Sequence, residues 1–290
     1  MSTPSWRTRL LLNEDLNFLL TNRIPRITAT RFVGWLSHIE SPTLARLLIW
    51  VWSRFTALDL SEAKQQQFNS MHACFTRELV DGARPVDERA NVLCSPSDGI
   101  VGACGRIDGT TVLQAKGFPY ELVDLVGTER TAQRFAGGQY ITLRLTSAMY
   151  HRFHAPAPLQ VTGVDYISGD TWNVNPIALK RVERLFCKNE RAVVHCKLRD
   201  SGLDMALVPV AAVLVASIRL HFANVLLHLR YKGPNHIPCA ATLEKGQEMG
   251  WFEHGSTIIV LLPAGVNVAL GIEAGQRVKA GQALVYVSHA

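Results

Sequence analysis

The chain has 290 residues, a net charge of +6, 48% hydrophobic residues and 19% charged residues. This composition is typical of a folded protein of one or two domains and excludes a disordered chain. The positive charge favours an acidic partner. Because the aromatic–basic runs and zinc-finger spacings of nucleic-acid-binding modules are missing from the sequence, an anionic membrane surface is the favoured partner and nucleic acid is not.

The first part of the chain, residues 1–78, carries apolar side chains at helical spacing. Pro42 after Ser41 predicts a helix start. Up to residue 60, seven arginines stand against four acidic residues. A basic, Trp-rich helical region predicts a surface that lies in a membrane interface. The alternative is that these helices pack on the main domain, with Trp50 and Trp52 in the core.

The apolar runs and the cysteines indicate the cellular location of the protein. The longest apolar run, from Met205 to Ile218, contains Pro209 and therefore predicts a buried β segment rather than a membrane span. The run Leu10–Leu12 is too short for the core of a signal peptide. None of the six cysteines forms a C-x-x-C pair, which favours reduced thiols. We expect a peripheral protein on the cytoplasmic side of the cell membrane.

The second part of the chain, residues 79–290, consists of short β-like segments separated by Gly and Asp turns. Short helices are predicted at Glu121–Leu125 and Thr128–Arg134. The glycine spacing after residue 271 is typical of the turns in biotinyl/lipoyl-like β-sandwiches, although the lysine attachment signature of carrier domains is missing. The sequence therefore predicts an α+β fold: a helical region, then a mainly β catalytic domain with a barrel-sandwich-like C-terminal part.

Several chemistry-bearing residues are weak signals when taken singly. Asp98 precedes a glycine, which is common in turns, and Lys116 fits either a turn or a phosphate contact. His151 and His154 are three residues apart, but nothing fixes a third ligand beside them, so no metal site is predicted. The pair Gly255-Ser256 also fits an ordinary turn.

In combination, these residues form an ordered set of blocks that resembles the bacterial type of phosphatidylserine decarboxylase. The blocks are Asp98–Val101, Leu113–Gly117, Tyr150–Pro156, Phe186–Arg191 and Lys245–Gly250. They are followed by His254-Gly255-Ser256-Thr257, where the family often has leucine in place of the histidine. The resemblance covers nearly the whole chain and is weakest in the N-terminal helices.

The resemblance implies that the chain cuts itself between Gly255 and Ser256. Ser256 attacks the Gly255 carbonyl, with His154 as the base and Asp98 orienting the histidine ring. Thr257 is a candidate donor to the developing oxyanion. The products are a β chain, residues 1–255, and an α chain that begins with a pyruvoyl group made from Ser256.

The resemblance also implies the reaction, the cofactor and the partners. The covalent pyruvate of the pyruvoyl group forms a Schiff base with phosphatidylserine, and protonation of the substrate carbon then gives phosphatidylethanolamine. His151 is our candidate for the acid in that step, or for positioning the substrate. No metal is expected, and the family precedent is a homodimer. One alternative is a lipid hydrolase with a Ser256–His154–Asp98 triad, although the chain lacks the G-x-S-x-G elbow. The other alternative is a non-enzymatic lipid-binding protein. Both alternatives predict an uncleaved chain.

Overall fold

The computed structural model describes residues 14–22, 25–114, 118–213, 217–253 and 256–287. Helices prevail in the described part before residue 76 and strands prevail after it, so the chain is an α+β protein that is mainly sheet, as predicted. Within the described ranges, no helix combines the length and apolar character needed to cross a membrane. The predictions that concern Leu10–Leu12, Lys116, His254 and Gly255 lie outside the described residues.

The N-terminal helices are α1 (Glu14–Asn22), α2 (Arg26–Ser37), α3 (Pro42–Ser53) and α4 (Met71–Phe75). Helix α3 starts as predicted: the Ser41 hydroxyl accepts the Leu44 amide at 3.4 Å, and proline occupies the first helical position. Trp52 stacks on Phe75 with ring centroids 5.8 Å apart, whereas Trp50 is 57% exposed. The alternative that places both tryptophans in the core is therefore wrong for Trp50, while Trp52 is partly buried against a small core cluster.

The rest of the described chain contains short helices and many strands. The helices are α5 (Leu122–Val126), α6 (Glu129–Gln133), α7 (Pro176–Leu179) and α8 (Leu185–Lys188). The strands are β1 (Val92–Cys94), β2 (Gly99–Arg106), β3 (Thr111–Gln114), β4 (Phe118–Glu121), β5 (Gln139–Leu145), β6 (Arg152–His154), β7 (Leu159–Ile167), β8 (Arg191–Leu198), β9 (Asp204–Ala211), β10 (Ser217–Leu220), β11 (Val225–His228), β12 (His236–Leu243), β13 (Glu248–Phe252), β14 (Ser256–Leu262), β15 (Val266–Val268), β16 (Arg277–Val278) and β17 (Ala283–Val287).

One large antiparallel sheet organises these strands, in the order β12-β7-β8-β9-β14-β5-β2-β16. A four-stranded sheet, β11-β10-β13-β6, and a three-stranded sheet, β1-β17-β15, accompany it, and β3 pairs with β4. The predicted apolar segment around Pro209 is strand β9, and Pro209 lies opposite Ile258 of β14. All six cysteines are free thiols.

Strand β14 is buried on both faces because its side chains alternate between two cores. Ile258, Val260 and Leu262 belong to the core shared with the four-stranded and three-stranded sheets. Ile259 and Leu261 belong to the core that the short helices α5 to α8 cover. The strand that begins at Ser256 is therefore one of the most enclosed elements of the described fold.

Candidate active site

Ser256 is the first residue of the central strand β14. It pairs with Leu145 of β5 on one side and with Ala211 of β9 on the other. Pairing with two neighbouring strands therefore fixes the backbone of β14 from its first residue, Ser256, onwards. Gly255 and the side chain of Ser256 lie outside the described part of the structure.

The segment that leads to Ser256 comes from a different sheet. Strand β13 belongs to the four-stranded sheet and ends at Phe252, whose amide donates to the His151 carbonyl at 3.0 Å. Glu253 follows, buried, and accepts the Ser217 hydroxyl at 2.6 Å. The chain therefore crosses from one sheet to the other between Phe252 and Ser256, and His151 lies beside this crossing.

His154 ends β6 with both ring nitrogens engaged. Nδ1 lies 3.0 Å from the Gly246 carbonyl, and Nε2 lies 3.1 Å from the Tyr150 hydroxyl. A carbonyl only accepts, so Nδ1 carries the proton and Nε2 accepts from Tyr150 when the ring is neutral. Burial lowers the pKa of His154 below its ordinary value. His154 is therefore a neutral imidazole near pH 7, with its basic lone pair on Nε2.

Asp98 is buried and held by an arginine. Nε and Nη2 of Arg84 donate to its two carboxylate oxygens at 2.6 Å each, and the Ala280 amide donates to Oδ1 at 3.0 Å. The resemblance implies that Asp98 orients the His154 ring. In the described structure, Gly246 and Tyr150 make the contacts to that ring. The bidentate guanidinium of Arg84 engages both oxygens of the carboxylate that would orient the histidine.

His151 and Thr257 are both completely buried. The His151 ring packs against Phe75 of α4, with ring centroids 3.9 Å apart. The Thr257 hydroxyl makes no hydrogen bond to any described residue. A buried hydroxyl without a partner is costly and uncommon, so the donor directly after Ser256 is a candidate functional group.

A cleft of about 380 Å³ opens beside Asp98. Its wall includes Tyr150 and the half-buried residues around Ser147. It also includes three arginines and three acidic residues, namely Arg77, Arg84, Arg277, Asp59, Glu62 and Asp98. His154 lines a smaller neighbouring cavity of about 60 Å³ that also contacts Arg84. Arg84 thus lines both the cleft beside Asp98 and the cavity beside His154.

Arg84 and Tyr150 were missed as site residues by sequence reasoning. The Arg84 guanidinium lies 5.8 Å from the centre of the Tyr150 ring and also donates to Glu62 at 2.7 Å. Tyr150 could have been found, since it opens the block that contains both histidines. Arg84 lies in an irregular segment between α4 and β1, and no local pattern marks it.

The fold and the site together define a β-rich protein whose candidate serine begins a central strand, with His151 directly before and His154 at the end of strand β6 in a neighbouring sheet. A model of the family described as phosphatidylserine decarboxylase matches residues 71–286. The chain is also similar to curated proteins named phosphatidylserine decarboxylase proenzyme. That of Brevibacillus brevis is 35% identical over 91% of this chain and 95% of its own length. That of Haemophilus influenzae is 33% identical over 91% and 93%, and that of Shewanella putrefaciens is 33% identical over 95% and 99%. The chain belongs to the phosphatidylserine decarboxylase family.

Proposed function

We propose that the chain decarboxylates phosphatidylserine to phosphatidylethanolamine after cutting itself between Gly255 and Ser256. The observation that carries this proposal is the position of Ser256. It opens a fully paired central strand immediately after a short crossing that passes His151. Membership of a family whose relatives are named proenzymes supports both the activity and the processing.

Maturation uses the residues of the chain itself. His154 Nε2 takes the Ser256 hydroxyl proton, and the serine oxygen attacks the Gly255 carbonyl, so that an ester replaces the peptide bond. The Thr257 hydroxyl is our candidate donor to the developing oxyanion. Elimination releases the Gly255 carboxylate and leaves a dehydroalanine at position 256. Its hydrolysis releases ammonia and leaves the pyruvoyl group. Burial lowers the pKa of His154, whereas the negative charges of Glu248 and, less strongly, Asp98 act in the opposite direction and favour the imidazolium.

The surroundings of Ser256 fit a covalent pyruvoyl group. Position 256 is held on both sides by strand pairing, and the next residue offers a buried hydroxyl. The group supplies an electrophilic carbonyl that bonds the substrate amine and takes up the electron pair released with carbon dioxide. His151 is our candidate for protonating the substrate carbon. The cleft beside Asp98 carries both arginines and acidic residues, which suits a head group that contains an ammonium group as well as a phosphate and a carboxylate.

We further propose that α2 and α3 rest on the cytoplasmic face of the cell membrane. Several large apolar side chains on and after these helices are exposed rather than packed: Phe32, Trp35, Leu47, Trp50 and Phe55. Arg54 lies 5.5 Å from the Trp50 ring and adds positive charge next to the apolar surface. Apolar side chains with flanking arginines suit the interface of an anionic leaflet. A homodimer and a barrel-sandwich-like arrangement of the C-terminal strands remain parts of the proposal.

A mass spectrum of the purified protein tests the central claim. We expect two chains, residues 1–255 and a C-terminal fragment that starts at position 256 with a blocked amino terminus. Ser256→Ala should leave one chain without decarboxylase activity. His154→Gln should slow cleavage by at least about 100-fold, the usual contribution of a general base. An active decarboxylase that stays uncleaved would contradict the proposal. An uncleaved chain that hydrolyses lipid would favour the hydrolase alternative, and an uncleaved chain that binds lipid without catalysis would favour the lipid-binding alternative.

A comparison of variants distinguishes the roles of His151 and His154. His151→Ala should permit cleavage and reduce decarboxylation, because His151 is assigned to turnover and not to maturation. If His151→Ala blocks cleavage while His154→Gln permits it, the two assignments are reversed.

A further inference from the structure

Three side chains from distant parts of the chain meet next to the processing segment. Ligand atoms of His38, His72 and Glu253 all lie within 4.8 Å of one another. His38 directly follows α2, His72 lies in α4, and Glu253 follows β13, three residues before Ser256. None of them belongs to the proposed decarboxylation machinery.

The geometry of the cluster presents one ligand atom from each residue. His72 Nε2 lies 3.1 Å from Glu253 Oε1. The rings of His38 and His72 stack, with centroids 4.1 Å apart and 27° between their planes. Nδ1 of His38 lies 2.8 Å from the Gly34 carbonyl, so this nitrogen carries the proton and Nε2 carries the lone pair.

The surrounding contacts are those of outer-shell partners at metal sites. A ligating histidine usually donates its other ring N–H to a carbonyl or a carboxylate, as His38 does to Gly34. The Ser217 hydroxyl donates to Glu253 Oε2 at 2.6 Å and leaves Oε1 directed towards His72. In the metal-free chain, His72 Nε2 shares a proton with Glu253 Oε1. A bound metal ion takes the place of that proton, because ligating atoms must be deprotonated.

We propose that His38 Nε2, His72 Nε2 and Glu253 Oε1 bind a divalent transition-metal ion of the zinc type. Two imidazoles and a carboxylate form a ligand set that zinc accepts, whereas magnesium and calcium prefer oxygen ligands. Zinc–ligand bonds of about 2.0–2.1 Å in a tetrahedron place ligand atoms about 3.4 Å apart. The distance of 3.1 Å between His72 Nε2 and Glu253 Oε1 is close to this spacing. The fourth position is open to solvent on the side of His38, which is exposed.

The bound ion joins the N-terminal helical part of the chain to the segment before the cleavage position. Its three ligands come from the end of α2, from α4 and from the crossing that leads to Ser256. The alternative is a His72–Glu253 ion pair with His38 stacked on it and no affinity for metal. Metal binding does not depend on cleavage or decarboxylation, so its test is separate from that of the proposed function.

The test measures binding of Zn²⁺ and Co²⁺ to the full chain after treatment with a chelator. Calorimetry gives the stoichiometry, and Co²⁺ absorption reports nitrogen and oxygen ligands in a low-coordinate site. We expect one ion per chain, both in the processed protein and in Ser256→Ala. His38→Gln and His72→Gln should each weaken binding by at least about 100-fold, because loss of an outer-shell partner alone costs about 10- to 100-fold.

His236→Gln is the matched control. His236 is an exposed histidine whose Nδ1 lies 2.7 Å from Asp165, so its loss removes a histidine–carboxylate pair outside the cluster. Its metal affinity should equal that of the unchanged chain. Circular dichroism verifies folding of each variant. Since His38 is exposed, its variant remains informative even if His72→Gln fails to fold. Affinity unchanged in His38→Gln, affinity lost in His236→Gln, or the lack of stoichiometric binding would overturn the proposal.

Discussion

At the scale of single residues, His154 shows how backbone contacts prepare a base. The Gly246 carbonyl fixes the proton on Nδ1, and burial favours the neutral ring. The Tyr150 hydroxyl donates to the lone pair that the reaction needs, so it must release Nε2 before Ser256 can transfer its proton. The ring is thus held in one tautomer without a carboxylate on Nδ1.

The pH dependence of self-cleavage follows from this environment. Protonation of Nε2 removes the base, and the pKa of His154 lies below its ordinary value of 6.5 because of burial. We therefore expect the cleavage rate to stay constant from pH 8 down to about pH 6.5. At pH values below the lowered pKa, the rate should fall about tenfold for each unit. The measurement is a gel time course of the refolded precursor at each pH. A rate already halved at or above pH 6.5 would contradict this assignment.

Arg84 is a residue whose contribution to the free energy of unfolding can be measured. Its side chain is largely buried, and it joins Asp98 and Glu62. Breaking a buried pair leaves an uncompensated charge, so Arg84→Gln should lower the free energy of unfolding by about 3–5 kcal/mol. The measurement is urea unfolding in the Ser256→Ala background, where the chain stays intact. Arg89→Gln removes the exposed pair with Asp87 and should change the free energy much less. Equal losses in the two variants would contradict the buried role of Arg84.

At the scale of elements, α2 and α3 carry the exposed apolar side chains. Trp35 is 64% exposed and Trp50 is 57% exposed. Burying a large apolar side chain is worth about 1.5–3 kcal/mol, and about 1.4 kcal/mol corresponds to a tenfold change in affinity. Replacing both tryptophans by serine should therefore weaken binding to anionic vesicles by at least about 100-fold in a co-sedimentation assay.

The control for this surface lies at the other end of the chain. Leu270 is 99% exposed and lies after β15, so Leu270→Ser removes an exposed apolar side chain that does not belong to the helices. Its vesicle binding should match that of the unchanged chain. Equal weakening by Leu270→Ser, or full binding by the double tryptophan variant, would show that the helices are not the membrane surface.

The elements also show which features can be predicted from sequence. Local patterns predicted the start of α3 at Ser41-Pro42, and the apolar run from Met205 to Ile218 predicted the buried β segment that contains β9. The partners of Asp98 could not be predicted, because the contact with Arg84 joins an irregular segment to a turn through side chains alone. The cluster of His38, His72 and Glu253 was missed for the same reason: its members are brought together by packing and by no spacing along the chain.

At the scale of the whole molecule, the predicted α chain is interwoven with the predicted β chain. Strand β14 lies between β9 and β5, and β17 lies between β1 and β15. Strand β16 adds to the edge of the large sheet beside β2. The large sheet and the three-stranded sheet therefore each combine strands from both sides of the cleavage position. Both cores include side chains from β14.

This interweaving predicts that cleavage does not separate the two chains. Dissociation would expose β14, which is buried on both faces, and would break its pairing with two strands. The fragments should co-elute in size-exclusion chromatography and separate only when urea unfolds the protein. Loss of the fragment mass from the complex should coincide with loss of the circular dichroism signal. The uncleaved Ser256→Ala chain provides the reference transition. A C-terminal fragment that leaves the protein in dilute native buffer would contradict the central position of β14.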